Sequence, residues 1–288
     1  MSIIPQLIVN SIIAGAIYTL VALGFNLIYS TTKFFNLAHG AMAVVGGYVV
    51  FSLTRQLDFS LWLSIPVAIL VAGVIGVLSD LLLFRKLRER KASSMILLVA
   101  SLGLFTAIQA MIAILFTSQF QTLTTGASIS TVYDVFGGAI TQTQVVILAT
   151  GLLIMAGIGL MLKYTKLGKA IQAVGDDEEV AKIVGIDTNK VIAIVFFIGS
   201  AIAGVAGLLV GFDTGLEPTM GLALLLKGIV AAIVGGVGSL YGGVLGAFLL
   251  GFVENFGIWH LSGEWKDAIA FVLLILFLIF RPQGIVKK

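Results

Sequence analysis

Few side chains of this sequence could carry chemistry, and the ionisable ones within apolar runs are Asp80, Lys227 and Glu254. Charged groups are costly inside a lipid bilayer, so each of them indicates either a functional role or a pairing with another charge. Asp80 precedes a basic cluster at residues 85–91, which favours a local salt bridge. Lys227 can extend towards the membrane surface, and Glu254 is expected to pair with Lys227 or Lys266.

Neutral polar residues in the apolar runs could line a translocation path or bond across helices, and the candidates are Asn10, Asn26, Asn36 and His39. For Asn36 and His39 the favoured interpretation is capping at the start of the second apolar run. His260 lies in a loop and has no expected role. The sequence contains no acid–histidine proton relay, which argues against a proton-driven carrier and leaves a sodium-coupled one open.

No catalytic or nucleotide-binding motif accompanies these residues. The nearest match to a phosphate-binding loop, residues 167–170 (LGKA), lacks the upstream glycine and the hydroxyl residue. The sequence also lacks metalloprotease and serine-hydrolase motifs, His/carboxylate clusters at metal-ligand spacing, and cysteine. It therefore predicts a chain that is not an enzyme and binds no metal, cofactor or nucleic acid itself.

The composition places these residues in a membrane. Of the 288 residues, 59% are hydrophobic and 11% are charged, and the mean hydropathy is +1.13. A soluble domain carries about 25% charged residues. Because so few charges would leave large apolar patches facing water, lipid must solvate much of the surface.

Nine apolar runs have the character of membrane spans, for which a helix needs about 20 mostly apolar residues. They cover residues 4–28, 37–53, 61–84, 95–117, 144–162, 191–211, 221–235, 240–256 and 268–280. The second and seventh runs are short and glycine-rich, as re-entrant or broken helices are, so eight to nine spans are expected. The predicted fold is all-α, a single polytopic transmembrane helical bundle over residues 1–288.

The basic residues predict the orientation of the bundle. With nine alternating spans, 14 of the 17 Lys and Arg residues fall in loops on one side. The positive-inside rule assigns that side to the cytoplasm, so the C-terminus is predicted inside and the N-terminus outside. The polar stretch 118–143 then forms an ordered external loop, for which we expect a short helix packed on the bundle.

The polar insert 163–190 is too long for a simple turn, since helix connections usually run about 2–8 residues. Asp176 or Asp177 can cap a short helix over 177–184, and Glu179 stands three residues after Asp176, as in a capping box. Gly185 is suited to the left-handed C-cap. The insert is therefore predicted to contain one short, capped helix on the cytoplasmic side.

Val180, Ile183 and Val184 form an apolar stripe on this short helix. Such a helix is too short to be stable alone, so the stripe must pack on something. Packing on the bundle's own cytoplasmic face and packing on a partner protein are about equally supported by the local sequence.

Small residues recur every four positions in two later runs, where they would let helices approach closely. The two series are Gly199, Ala203, Gly207 and Gly211, and Gly238, Gly242 and Gly246. Packing within the bundle is the favoured interpretation for each, and a subunit interface or helices that slide during transport is the alternative.

Several separated strings resemble the permease subunits of branched-chain amino acid ABC transporters, in the order typical of that family. The strings are GFNLIY at 24–29, FNLAHGA at 35–41, GGY at 46–48, GKA at 168–170, AVGDD at 173–177, GI at 185–186, MG at 220–221, LLKG at 225–228, GGVGS at 235–239, GGVLG at 242–246 and FRPQG at 280–284. The likeness extends over nearly the whole chain.

This resemblance implies that the insert contains a coupling helix that fits a groove on an ATPase subunit. The residues it would assign to coupling are Asp176, Asp177, Glu179, Val180, Ala181, Ile183, Val184 and Gly185. Residues 179–185 follow the pattern E-x-A-x-x-x-G, which departs from the family's E-A-A-x-x-x-G at Val180 and lacks the usual tail.

The resemblance also implies a bacterial inner-membrane importer with several partners. These are two ABC ATPase subunits that bind ATP and Mg²⁺, a second homologous permease subunit, and a periplasmic substrate-binding protein. The usual cargo is leucine, isoleucine and valine, and similar chains carry other amino acids, urea or short amides. The rival interpretations are a stand-alone secondary transporter or channel, and a membrane scaffold without transport.

Overall fold

The chain is a bundle of α-helices, known from a computed structural model that describes residues 3–123, 131–135, 137–259 and 261–286. His260 lies outside these residues. The helices are α1 (Ile3–Thr32), α2 (His39–Phe51), α3 (Leu61–Ser79), α4 (Arg85–Glu89), α5 (Ser94–Phe116), α6 (Gln142–Tyr164), α7 (Lys166–Asp176), α8 (Glu178–Ile183), α9 (Thr188–Asp213), α10 (Met220–Gly235), α11 (Leu240–Gly257) and α12 (Lys266–Phe280). Each of the nine predicted apolar runs is a helix.

Six helical segments are long and apolar enough to cross a membrane: α1, Leu61–Glu89, α5, α6, α9 and α11. The second of these joins α3 to α4 through a π-helical turn at Asp80–Phe84. Three predicted spans are shorter, with 13 residues in α2, 16 in α10 and 15 in α12. A multi-pass, all-α membrane protein is confirmed, and the count of eight to nine crossings stays a prediction.

The centre of the bundle is formed by α1, α2, α9 and α10, whose side chains are mostly buried. Helix α1 packs against α9, α10 and α11, and α2, α3 and α9 all pack against one another. Helices α5 and α6 are at the periphery and leave most of their apolar residues exposed. Such outer faces are available to lipid or to another membrane subunit.

Non-helical segments precede both short, glycine-rich helices. Before α2, the bend at 33–38 buries Phe34, Asn36 and Ala38. Before α10, Leu216 is fully buried and hydrogen-bonds through its backbone to Gln121, whereas Thr214, Glu217 and Thr219 are exposed. Irregular backbone inside a membrane has to be covered by protein, so only the segment before α2 has the burial expected of a broken helix.

The first turns of α2 and α10 meet each other at Gly40 and Gly221. A Cβ atom on Gly40 would lie 2.5 Å from the Gly221 carbonyl oxygen, and one on Gly221 would lie 2.6 Å from the Gly40 carbonyl oxygen. Real Cβ contacts are not this short, so only glycine permits the two helices to begin side by side.

The prediction of a short helix in residues 118–143 is wrong for the part of that stretch that the structure describes. Strand β1 (Val132–Val135) pairs with β2 (Gly138–Thr141) in an antiparallel hairpin. The Asp134 side chain accepts a hydrogen bond from the Gly137 N–H at 2.8 Å, which stabilises the tight turn between the strands. Thr141 and Gln144 then form a capping box that begins α6.

Candidate functional site

The predicted short helix of the insert is α8, and both of its ends are capped. The Asp177 carboxylate accepts hydrogen bonds from the N–H groups of Glu179 at 2.9 Å and Val180 at 3.0 Å. Gly185 has a φ of +87°, and its N–H donates to the Lys182 carbonyl at 3.0 Å. The C-cap therefore has the geometry expected from the sequence.

The capping box predicted at Asp176 is not formed. Asp176 is the last residue of α7, so its backbone is still helical and cannot act as the N-cap of α8. Asp177 fills both roles, because its N–H closes α7 on the Ala173 carbonyl at 3.1 Å and its side chain opens α8. A single residue thus ends α7 and begins α8.

The apolar stripe on α8 faces away from the bundle. Val180 is 54% exposed, Ile183 is 83% exposed and Val184 is 69% exposed, whereas Ala181 on the opposite side is 2% exposed. Within the described residues, packing of α8 on the bundle therefore accounts for Ala181 alone. Three adjacent apolar side chains are left available to another protein.

Helix α8 packs on α7, a helix that the sequence analysis did not predict. The Thr165 hydroxyl caps it by accepting from the Gly168 N–H at 3.0 Å. Ile171 and Val174 are each 2% exposed and pack in a cluster with Leu27 of α1. The spacing of Leu167, Ala170, Ile171 and Val174 is the signal that could have identified this helix.

The four residues proposed for a translocation path contact different parts of the chain. Asn26 accepts from the Gly238 N–H and donates to the Ser239 carbonyl, both at 3.0 Å, and so holds the α10–α11 turn against α1. Asn10 accepts from Gln6 at 3.0 Å within α1.

Asn36 and His39 adjoin one bend, the connection from α1 to α2. The predicted capping of α2 by Asn36 is wrong, because the N-cap is Ala38 and no side chain caps the helix. The Asn36 side-chain oxygen instead accepts from the Ala38 N–H at 3.1 Å and stabilises the bend before α2. His39 is 1% exposed and lies close to Gly24, on which an added Cβ would be 2.7 Å from a ring carbon of His39. A role of these residues in lining a path stays a prediction.

The small residues of α9 lie where other helices come closest. An added Cβ on Gly199 would be 2.9 Å from the Gly24 carbonyl oxygen, and one on Gly207 would be 1.8 Å from the Ala43 carbonyl oxygen. Ala203 is fully buried between them, and Gly211 faces Leu216. This stripe thus packs α9 on α1 and α2 within the chain.

The second stripe packs α11 on α10. An added Cβ on Gly242 would lie 2.3 Å from the Gly235 carbonyl oxygen, and one on Gly246 would lie 2.0 Å from the Ala231 carbonyl oxygen. Gly238 is not part of the helix, because it lies in the preceding turn with a φ of +80°.

Charged residues inside the bundle are paired with each other. Lys227 on α10 binds Glu254 on α11, which is fully buried, and Asp267 on α12 at 2.8 Å. The Tyr18 hydroxyl of α1 donates to the other oxygen of Glu254 at 2.7 Å. The expected pairing of Glu254 with Lys227 is confirmed, and the two residues hold four helices together.

The predicted local salt bridge of Asp80 is also present. Asp80 is fully buried, and its carboxylate lies 2.9 Å from the Arg88 guanidinium across the π-helical turn. No group of three or more His, Cys, Asp or Glu side chains that could hold a metal occurs in the part of the chain that the structure describes.

Comparison with known proteins links this arrangement to one transport family. Residues 7–278 match the family described as branched-chain amino acid transport system / permease component. The high-affinity branched-chain amino acid transport system permease protein BraD of Pseudomonas aeruginosa is 32% identical, over 98% of this chain and 95% of its own length. The corresponding protein LivH of Escherichia coli is 31% identical over the same shares.

More distant relatives include proteins named for other cargo. The ribose import permease protein RbsC of Haemophilus influenzae is 26% identical, over 100% of this chain and 86% of its own length. Among solved structures, PsaBC from Streptococcus pneumoniae in complex with Fab matches with a TM-score of 0.53 and 14% identity, over 95% of this chain and 91% of that one. That likeness concerns the fold alone.

Proposed function

The chain belongs to the family of branched-chain amino acid transport system permease components, and we propose that it is the membrane-spanning subunit of a bacterial ABC importer. In this role it carries branched-chain amino acids across the inner membrane. The ATP is hydrolysed by partner subunits, because this sequence contains no phosphate-binding loop. The bundle supplies the path and the coupling, and no residue of the chain is catalytic.

The observation that carries this proposal is the exposed stripe of Val180, Ile183 and Val184 on a helix capped at both ends. Exposed apolar side chains grouped on one face indicate a protein contact. A six-residue helix with this stripe is suited to the groove of an ATPase subunit. A stand-alone secondary transporter, the alternative, would have no use for such a surface.

The importer we propose contains two ATPase subunits, this chain, a second homologous permease subunit and a periplasmic binding protein. The insert lies in the cytoplasm, the C-terminus is cytoplasmic and the N-terminus is outside, as the distribution of basic residues indicates. Closure of the ATPases on ATP moves α8, and the bundle responds by opening the path between the two permease subunits.

Leucine, isoleucine and valine are the proposed cargo, because the relatives with 31–32% identity are named for branched-chain amino acid transport. The relative named for ribose is less similar, at 26%. Ribose is therefore the matched negative control in a test of cargo.

The first test is to purify this chain from its native membrane in mild detergent, identify the proteins that come with it, and reconstitute the complex with its binding protein in liposomes. We expect an ATPase pair, a second permease and ATP-dependent uptake of labelled leucine that unlabelled isoleucine and valine inhibit and ribose does not. If the chain purified without partner proteins and transported without ATP, it would instead be a stand-alone secondary transporter.

The second test reverses the polarity of the stripe. The double variant Val180→Asp, Ile183→Asp should lose the ATPase subunits while the bundle still folds, because both side chains are exposed and support no internal packing. Lys169→Asp, which places a new carboxylate on the exposed side of α7, is the matched control and should keep them. If the double variant co-purified normally with the ATPase subunits, the assignment of α8 as the coupling helix would be wrong.

A further inference from the structure

Helix α7, rather than α8, attaches the insert to the bundle. Ala181 is the only residue of α8 that is buried among those described, whereas α7 buries Gly168, Ile171, Val174 and Gly175. Helix α7 contacts α1, α6 and α9, whereas α8 has few contacts with α9. Helix α8 is also joined to α9, through residues 184–187 and a hydrogen bond of 3.2 Å from the Thr188 hydroxyl to Glu178. Helix α7 supplies the larger packed contact between the insert and the bundle.

The C-terminal ends of α1 and α7 converge on one lysine. Lys33 directly follows α1 with a φ of 55°, and its N–H donates to the Tyr29 carbonyl at 2.9 Å. Its ammonium group donates to the carbonyl of Gly175, the next-to-last residue of α7. The last carbonyls of a helix lack intrahelical partners and carry partial negative charge, so a cation suits this position.

The two helices also touch through their backbones at this point. A Cβ atom on Gly175 would lie 2.9 Å from the Ser30 carbonyl oxygen, which is closer than real Cβ atoms come. Only glycine therefore lets α7 reach α1 closely enough for Lys33 to span the gap.

The residue after Lys33 packs the connection between α1 and α2 against the turn between α3 and α4. Phe34 is 1% exposed, and its ring centroid lies 5.2 Å from that of Phe84 in the π-helical turn. The same connection leads to His39, the first residue of α2. Lys33 therefore lies where a displacement of α7 would act on the end of α1 and on the segment that enters α2.

We propose that Lys33 and Gly175 form the joint that transmits movement of the insert to α1 and α2, with Lys33 as a positioning residue for transport. The inference rests on the proposed function of the chain as an importer subunit. It adds the element that the exposed stripe alone does not supply, namely a link from the ATPase contact to the central helices of the bundle.

The first test uses the complete importer in proteoliposomes and compares Lys33→Met with Lys33→Arg. Lys33→Met leaves the α8 stripe intact, so we expect the ATPases to stay bound and to hydrolyse ATP. Substrate uptake per ATP hydrolysed should fall at least tenfold, and Lys33→Arg should restore most of it. Lys169→Met on α7 is the control and should match the wild type.

If substrate uptake per ATP hydrolysed by the Lys33→Met importer were within twofold of the wild type, the proposal that Lys33 transmits the movement would be refuted. That result leaves the proposed function standing, since the wild-type complex still transports. A wild-type complex that takes up no amino acid with ATP would instead refute the proposed function, so the two failures are distinct.

A second test changes the contact between α1 and α7 directly. Gly175→Ala places a Cβ atom 2.9 Å from the Ser30 carbonyl oxygen, so α7 must move away from α1. We expect the ATPases to stay bound and substrate uptake per ATP hydrolysed to fall, as for Lys33→Met. Gly157→Ala on α6, where an added Cβ meets no atom within 4 Å, is the control and should match the wild type. Uptake per ATP by Gly175→Ala within twofold of the wild type would overturn the joint.

Discussion

Replacement of Lys227 by methionine is the sharpest test of the buried charge network. Methionine keeps most of the length of the side chain but removes the ammonium that binds Glu254 and Asp267. Glu254 is fully buried and would retain only the hydrogen bond from Tyr18. We expect Lys227→Met to destabilise the bundle strongly, because it leaves a carboxylate in the interior without a cation.

The expected magnitude follows from the burial of each partner. Removal of one member of a buried ion pair costs about 3–5 kcal/mol. Asp267 contributes little to this figure, because its side chain is 68% exposed and exposed pairs are worth about 0–1 kcal/mol. At roughly 2–4 °C per kcal/mol for a chain of this size, the midpoint of thermal unfolding should fall by about 6–20 °C.

The assay is thermal unfolding of the purified chain in detergent, followed by circular dichroism. Asp267→Asn is the control for the exposed partner and should change the free energy of unfolding by less than about 1 kcal/mol. The double variant Lys227→Met, Glu254→Gln removes the buried charge along with its partner, so it should be more stable than Lys227→Met alone. A single variant as stable as the wild type, or a double variant less stable than the single one, would refute the reasoning.

Three further variants test individual contacts by the same unfolding assay or by binding. Asp177→Ala removes the cap of α8 and should cost about 1 kcal/mol of helix stability, measured as weaker retention of the ATPases. Gly207→Ala places a methyl group 1.8 Å from the Ala43 carbonyl oxygen and should lower the unfolding midpoint by forcing α9 away from α2. Asn26→Leu leaves the Gly238 N–H without its partner and should cost about 1–3 kcal/mol, whereas an unchanged midpoint would mean that the turn rearranges freely.

These helices were predictable because a membrane-spanning helix requires a long apolar run in the sequence. All nine runs are helices, and the apolar stripe and cap of α8 follow from the side chains at 177–185. The local sequence left open whether the stripe packs on the bundle, and the structure shows it exposed. The charge pairs of Asp80 and Glu254 were also expected, since buried charges require partners. These features depend on local sequence or on one strong physical rule.

The remaining features depend on contacts between distant parts of the chain. Helix α7 carries the same apolar periodicity as any surface helix, but the polar residues around it concealed the pattern. The contact of Gly175 with Ser30 and the contact of Gly40 with Gly221 join residues far apart in sequence, so spacing along the chain does not indicate them. The hairpin at 132–141 was missed because its strands are four residues each and lie in a polar stretch.

The polar groups inside the bundle bear on where the cargo passes. Asn26 uses its amide oxygen and nitrogen to hold the α10–α11 turn, and Glu254 is occupied by Lys227 and Tyr18. These groups support helix packing, and a substrate that bound them would have to displace contacts inside the fold. In the importer that we propose, a path along the surface that faces the second permease would avoid this cost. The proposed binding protein, rather than these buried groups, would then select the cargo.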